Sequence, residues 1–155
     1  MLGEDHPFTL RSASRLGLAQ GSLGEHQQAR DLQTDALARS RRALGEDHPD
    51  TLISASVLGL TLGSMGERQQ ACQLQTDTLA PLRRVLGEDH PDTLTSASRL
   101  AADLRELGEH QQARALDEDT LARRRRVLGD DHPDTLISAN NLAADLHALG
   151  EHEQT

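Results

Sequence analysis

The sequence predicts an all-α protein, a right-handed superhelical α-solenoid of antiparallel helix pairs with about 3.5 units and seven helices in 155 residues. Three observations carry this. The phrase Leu-Gly-Glu-Asp-His-Pro-Asp-Thr-Leu stands at Leu44–Leu52 and Leu86–Leu94, with near-copies at Leu2–Leu10 and Leu128–Leu136, always 42 residues apart. A fixed period of about 20 to 50 residues marks an array whose units bury their apolar faces only against their neighbours. The stretch Leu44–Val85 matches Leu86–Val127 at roughly 27 of 42 positions, so the register is secure. Finally, each unit divides at a Gly-Glu pair: Gly24-Glu25, Gly66-Glu67, Gly108-Glu109 and Gly150-Glu151. The whole chain reads as one array with units 2–43, 44–85, 86–127 and a truncated 128–155.

The first half of a unit carries apolar residues at helical spacing, as in Leu94, Ala97, Leu100, Ala101, Leu104 and Leu107. The second half does so at Ala113, Leu116, Thr120, Leu121 and Leu128. Glycine ends the first helix and glutamate favours the start of the second. In the loop between units, Gly45 suits a left-handed position after the helix, and Asp47 or His48 can cap the next one. Pro49 fits the first helical turn, where Asp50 meets the positive helix end. Pro81, in the second helix of unit two, is expected to bend it, because an interior proline removes a hydrogen bond and clashes with the preceding turn. In the fourth unit the first helix is expected over Pro133–Leu149.

These features resemble the tetratricopeptide repeat, specifically the 42-residue kind of kinesin light chains and many bacterial signalling proteins. The resemblance covers nearly the whole chain. It is carried by the His-Pro-Asp-Thr-Leu helix start, by the pairs Leu16-Gly17, Leu58-Gly59, Leu100-Ala101 and Leu142-Ala143, by the turn glycine, and by Ala29, Ala71 and Ala113 five positions later. The second helix of that family usually has an aromatic just after its first leucine, where this chain has Gln33, Gln75 and Asp117. Phe8 is the sole aromatic residue, so the core must be built from Leu, Ala, Val and Thr and is expected to be thin.

Composition excludes several functions. No run approaches the roughly 18 apolar residues of a membrane span, and Met1-Leu2-Gly3-Glu4 does not start a signal peptide, so a soluble cytoplasmic protein is expected. A net charge of -9 opposes nucleic-acid binding, which draws on phosphate neutralisation. The single Cys72 aligns with Arg30 and Arg114 and is expected on a solvent-facing side. Glu-Asp-His recurs at His6, His48 and His90, with Asp130-Asp131-His132 as a variant, yet copies one layer apart stand on the order of 10 Å from each other, too far to share a metal. The run Arg123–Arg126 reads as cations near a helix C-terminus. There is no phosphate-binding glycine loop, no lysine and no catalytic constellation, so neither cofactor nor enzymatic activity is expected.

Function must then come from surface shape, and in such an array the first helices line the concave face. Their inward stripe holds Arg11, Ser14 and Arg15 in unit one and Ile53, Ser56 and Val57 in unit two. Unit three adds Ser98, Arg99 and Arg105, and unit four Asn140, Asn141 and His147. A groove with small floor residues and guanidinium walls suits an extended peptide bearing carboxylates. The peptide-binding residues expected are Arg11, Arg15, Ser56, Arg99, Arg105, Asn140, Asn141 and His147. The resemblance implies that the residue before the Leu-Ala pair, commonly Asn, grips a peptide backbone; Asn141 keeps it, whereas Arg15, Val57 and Arg99 replace it. Two functions stay open: a protein- or peptide-binding scaffold, or a structural module that stacks end to end. Leu142, Leu146 and Leu149 on the last flank point to a segment of a longer array or to self-association through the array ends.

Overall fold

The computed structural model describes residues 25–154. Six helices follow one another without a strand among the described residues: α1 (His26–Leu44), α2 (Pro49–Ser64), α3 (Arg68–Leu86), α4 (Pro91–Glu106), α5 (His110–Leu128) and α6 (Pro133–Gln154). The expected first helix of unit one falls outside the described residues. Each helix packs on its neighbours in sequence, and the first helices α2, α4 and α6 also touch in succession. The backbones of the second helices α1, α3 and α5 stay farther apart than those of the first helices, so the array curves with the first helices on its inner side.

The joints follow local chemistry. His48, His90 and His132 are the N-caps, each Nδ1 accepting from the backbone N–H of Asp50, Asp92 or Asp134 at 3.1 Å. The imidazoles of the repeated phrase are thus used on their own backbone. Within a unit, Glu67 N–H donates to Leu62 O at 3.0 Å while Gly66 N–H donates to Gly63 O at 3.1 Å, a Schellman closure repeated at Glu109 and Gly108. The glutamates make no side-chain cap. Gly45 differs from expectation: at φ 93 and ψ 163 it lies in an extended positive-φ region open essentially to glycine, not in the left-handed helical one.

The fourth Gly-Glu pair also departs from the expected turn. Gly150 is helical, and α6 runs on to Gln154. At Gly66 and Gly108 a following helix packs back and holds the turn, whereas the i→i−4 bonding of α6 continues past Gly150 despite the roughly 1 kcal/mol cost of a helical glycine.

Two core clusters alternate with the joints. Leu37, Ala55, Leu58, Leu62 and Ala71 form one; Leu79, Ala97, Leu100, Ala101, Leu104 and Ala113 form the other. The buried members of both are leucine and alanine; of the other residues expected in the core, Thr78 and Thr120 are buried beside them, whereas Val85 and Val127 are exposed. Cys72 is partly buried against the second cluster, not solvent-facing, and burial pushes its thiol pKa up. The helix α3 continues through Pro81 to Leu86, so the proline is absorbed inside it. Substituting Pro81→Arg, the residue found at 39 and 123, restores a helical N–H donor. It is expected to stabilise by up to about 3 kcal/mol, read as a rise of several degrees in the thermal midpoint; an unchanged or lower midpoint would show that packing needs the proline.

Candidate functional site

The concave face is built on the paired contact of successive first helices. Arg99 of α4 reaches back to α2, its Nη1 donating to Ser56 Oγ at 3.0 Å. Asn141 of α6 repeats the move one unit later, with Nδ2 at 3.5 Å from Ser98 Oγ. Ser56 itself is 4% exposed. Its hydroxyl donates to Gln75 Oε1 at 3.1 Å, and Gln75 Nε2 donates back to Ser56 O at 2.9 Å. Ser96 Oγ donates to the same Oε1 at 3.3 Å. Ser56 therefore sits beneath the groove as a structural link between Arg99 and the core.

Arg99 is half-buried, and that burial lowers its pKa against the pull of Asp92. No carboxylate pairs with it among the described residues. Arg105 has the opposite setting. Its Nη2 donates to Asp117 Oδ2 at 2.7 Å, its Nε donates to Asp145 Oδ1, and both acids are 0% exposed. Arg105 is thus turned into the junction of α4, α5 and α6, and its charge is satisfied inside the protein. Asn140 and His147 are exposed on α6, and Arg11 and Arg15 lie outside the described residues.

The buried junction was missed by the sequence reading, although the repeat register contains the signal. Asp103 and Asp145 are equivalent. In one layer Arg68 of α3 faces Asp103 at 3.4 Å, and position 63 is glycine. In the next, residue 110 is His and residue 105 is the arginine. The cation has moved from the second helix to the first. A Cβ on Gly63 would stand 3.0 Å from Asp103 Oδ1, which explains why the small residue accompanies Arg68.

Asp117 Oδ1 and Asp145 Oδ2 are buried with no conventional donor. Burial and the facing Asp145 raise the Asp117 pKa to about 8, against the pull of Arg105. Asp103, by contrast, is raised by burial and held back by Arg68. The unfolded Asp117 would titrate near 3.9, so the folded state holds an extra proton between about pH 4 and pH 8. Stability in that window falls as pH rises, by at most about 1.4 kcal/mol per pH unit from this group. The substitution Asp117→Asn imitates the protonated form. Denaturation across pH 5 to 8 should show a shallower decline in the variant, and a more stable variant at about pH 8; parallel curves would show that Asp117 does not hold the extra proton.

The arginine run is consumed in pairing, largely between the second helix of a unit and the loop that opens that unit. Arg123 meets Glu88 at 3.0 Å, Asp89 at 2.8 Å and Asp119 at 2.9 Å. Arg126 meets Asp89 at 2.7 Å, and the buried Arg124 donates to Ser138 Oγ at 2.8 Å. Among the described residues no three His, Cys, Asp or Glu side chains gather as a metal-holding group, and no helix is long and apolar enough to cross a membrane.

Comparisons agree with this geometry. A search of curated proteins finds no match. The chain is similar to crystal structures of kinesin light chain nearly identical TPR-like repeats from Podosopora anserina. One is 30% identical, with a TM-score of 0.89, and covers 96% of this chain and 71% of that one. A single-substitution variant of the same repeats is 28% identical at TM-score 0.89, covering 99% and 72%. BtubC (BKLC) from P. vanneervenii shares the fold at 20% identity and TM-score 0.83, over 96% of this chain and 59% of its own. The sequence model described as tetratricopeptide repeat matches residues 22–80, 58–125 and 92–154. The chain belongs to the tetratricopeptide repeat family.

Proposed function

We propose that this protein is a non-enzymatic scaffold that holds an extended, acidic peptide segment in the concave groove of α2, α4 and α6. The observation that carries the reading is Arg99. It is a half-buried guanidinium on the inner face, oriented by Ser56 and paired with no carboxylate among the described residues. Partial burial strengthens its field, and a ligand carboxylate would complete its hydrogen bonding. Asn141, one unit later, presents a side-chain amide at the equivalent place, and Asn140 and His147 extend the polar surface along α6.

Arg105 adds little to this surface, since Asp117 and Asp145 already hold it. The charge-assisted contact at Arg99 is worth about 1.5 to 3 kcal/mol, less where solvent reaches it. Fluorescence anisotropy with acidic and charge-neutral extended peptides should show Arg99→Ala weakening the acidic ones about tenfold and flattening their salt dependence. Asn141→Ala should weaken both classes alike. Acidic peptides that bind Arg99→Ala as well as the parent would defeat the groove reading.

A second reading, end-to-end stacking, rests on α6. Leu136 and Leu146 are 51% and 44% exposed, whereas their repeat equivalents Leu94 and Leu104 are 3% and 8%. Light scattering over a concentration series decides between them: a constant monomer mass supports the scaffold alone, and mass growing with concentration supports stacking.

A further inference from the structure

Position 81 and its equivalents, Arg39 and Arg123, differ in a way that the concave groove does not explain. Arg123 lies in a cradle of three carboxylates, each taking a different guanidinium nitrogen: Asp119 Oδ2 on Nε, Asp89 Oδ1 on Nη1 and Glu88 Oε2 on Nη2. Arg39 makes the first of these contacts in unit one, its Nε at 2.9 Å from Asp35 Oδ2. In unit two the same three acids are present as Glu46, Asp47 and Asp77, but the residue between them is Pro81, which has no donor. There the three carboxylates line a cavity of about 270 Å³ between α1, α2 and α3. The loop keeps its register, because Arg84 meets Asp47 at 3.1 Å as Arg126 meets Asp89.

We propose that this cavity is a receptor for a guanidinium group, the arginine side chain of a polypeptide partner. The equivalent residues already hold such a group one repeat further on, so the chemistry of the site is read from an occupied copy of itself. Leu52, Ala55 and Leu74 supply an apolar wall for the methylene stem. Three acceptors on three different nitrogens match a planar fork, and an ammonium offers no such geometry. Arg41 also lines the cavity, but its counterpart Arg83 does not keep Arg123 out of the filled cradle. Asp77 accepts from Gln73 Nε2 at 2.9 Å through Oδ1, leaving Oδ2, the oxygen that Asp119 uses on Arg123. None of these residues belongs to the inner stripe, so the site stands or falls apart from the groove.

Partly exposed ion pairs contribute little singly, so a lone guanidinium binds at about millimolar strength. The test is an amide-resonance titration with N-acetyl-arginine methylamide, N-acetyl-lysine methylamide and an arginine-containing extended peptide. Saturable shifts at residues 46–47 and 76–82 are expected with the arginine compound, about fivefold weaker with lysine, and tighter with the peptide than with the capped amino acid. Asp77→Asn should weaken the arginine compound several-fold, and Pro81→Arg, which supplies an internal guanidinium, should abolish its binding. Equal response to lysine and arginine, or undiminished binding to Pro81→Arg, would overturn the site. A peptide no tighter than the capped amino acid would overturn the polypeptide source.

Discussion

Gln75 ties three helices together. From α3 it bonds Ser56 on α2 and Ser96 on α4, and all three side chains are buried. A buried amide left unsatisfied costs about 1 to 3 kcal/mol, so the three helices must keep the spacing that satisfies it. Gly59 belongs to the same constraint, because a Cβ there would lie 2.5 Å from Gln75 Nε2. One unit later the shorter Asp117 replaces the glutamine and Ala101 replaces the glycine, with both again 0% exposed. Side-chain length on the second helix and side-chain volume on the first have changed together.

The same layer determines which groove charges are available. A neutral glutamine leaves Ser56 free to orient Arg99 from above, whereas the acidic Asp117 draws Arg105 inward to join Asp145. Two arginines six residues apart on one helix, α4, therefore have different roles. One remains at the inner surface with a neutral partner; the other holds a buried acid pair.

On the outer edge, the acids of the loop that opens each unit tie that loop to the end of the same unit's second helix. Asp47 and Asp89 each receive an arginine from the end of the next second helix. The adjacent histidine caps the following first helix, its imidazole Nδ1 accepting from the backbone N–H two residues on. Exposed pairs of this kind contribute modestly to stability, about 0 to 1 kcal/mol each. Their regularity nevertheless fixes the register, and it makes the change at Pro81 visible as a site whose cation is missing from the chain.

The sequence by itself determined the helical repeat, its register, the burial of Ala29, Ala71 and Ala113 on the second helices and a core without aromatic rings, since all of these follow from periodicity and composition. It also located the inner stripe on which Arg99 and Asn141 lie. Only the tertiary structure decided that Ser56 is buried, that Arg105 serves Asp117 and Asp145, and that α6 runs through Gly150. Those outcomes depend on contacts 12 to 43 residues apart, or on whether a helix packs against a turn. A helical stripe gives the direction in which a side chain leaves the backbone, but a long guanidinium bends toward the carboxylate it can reach, and that partner is set by how neighbouring units stack.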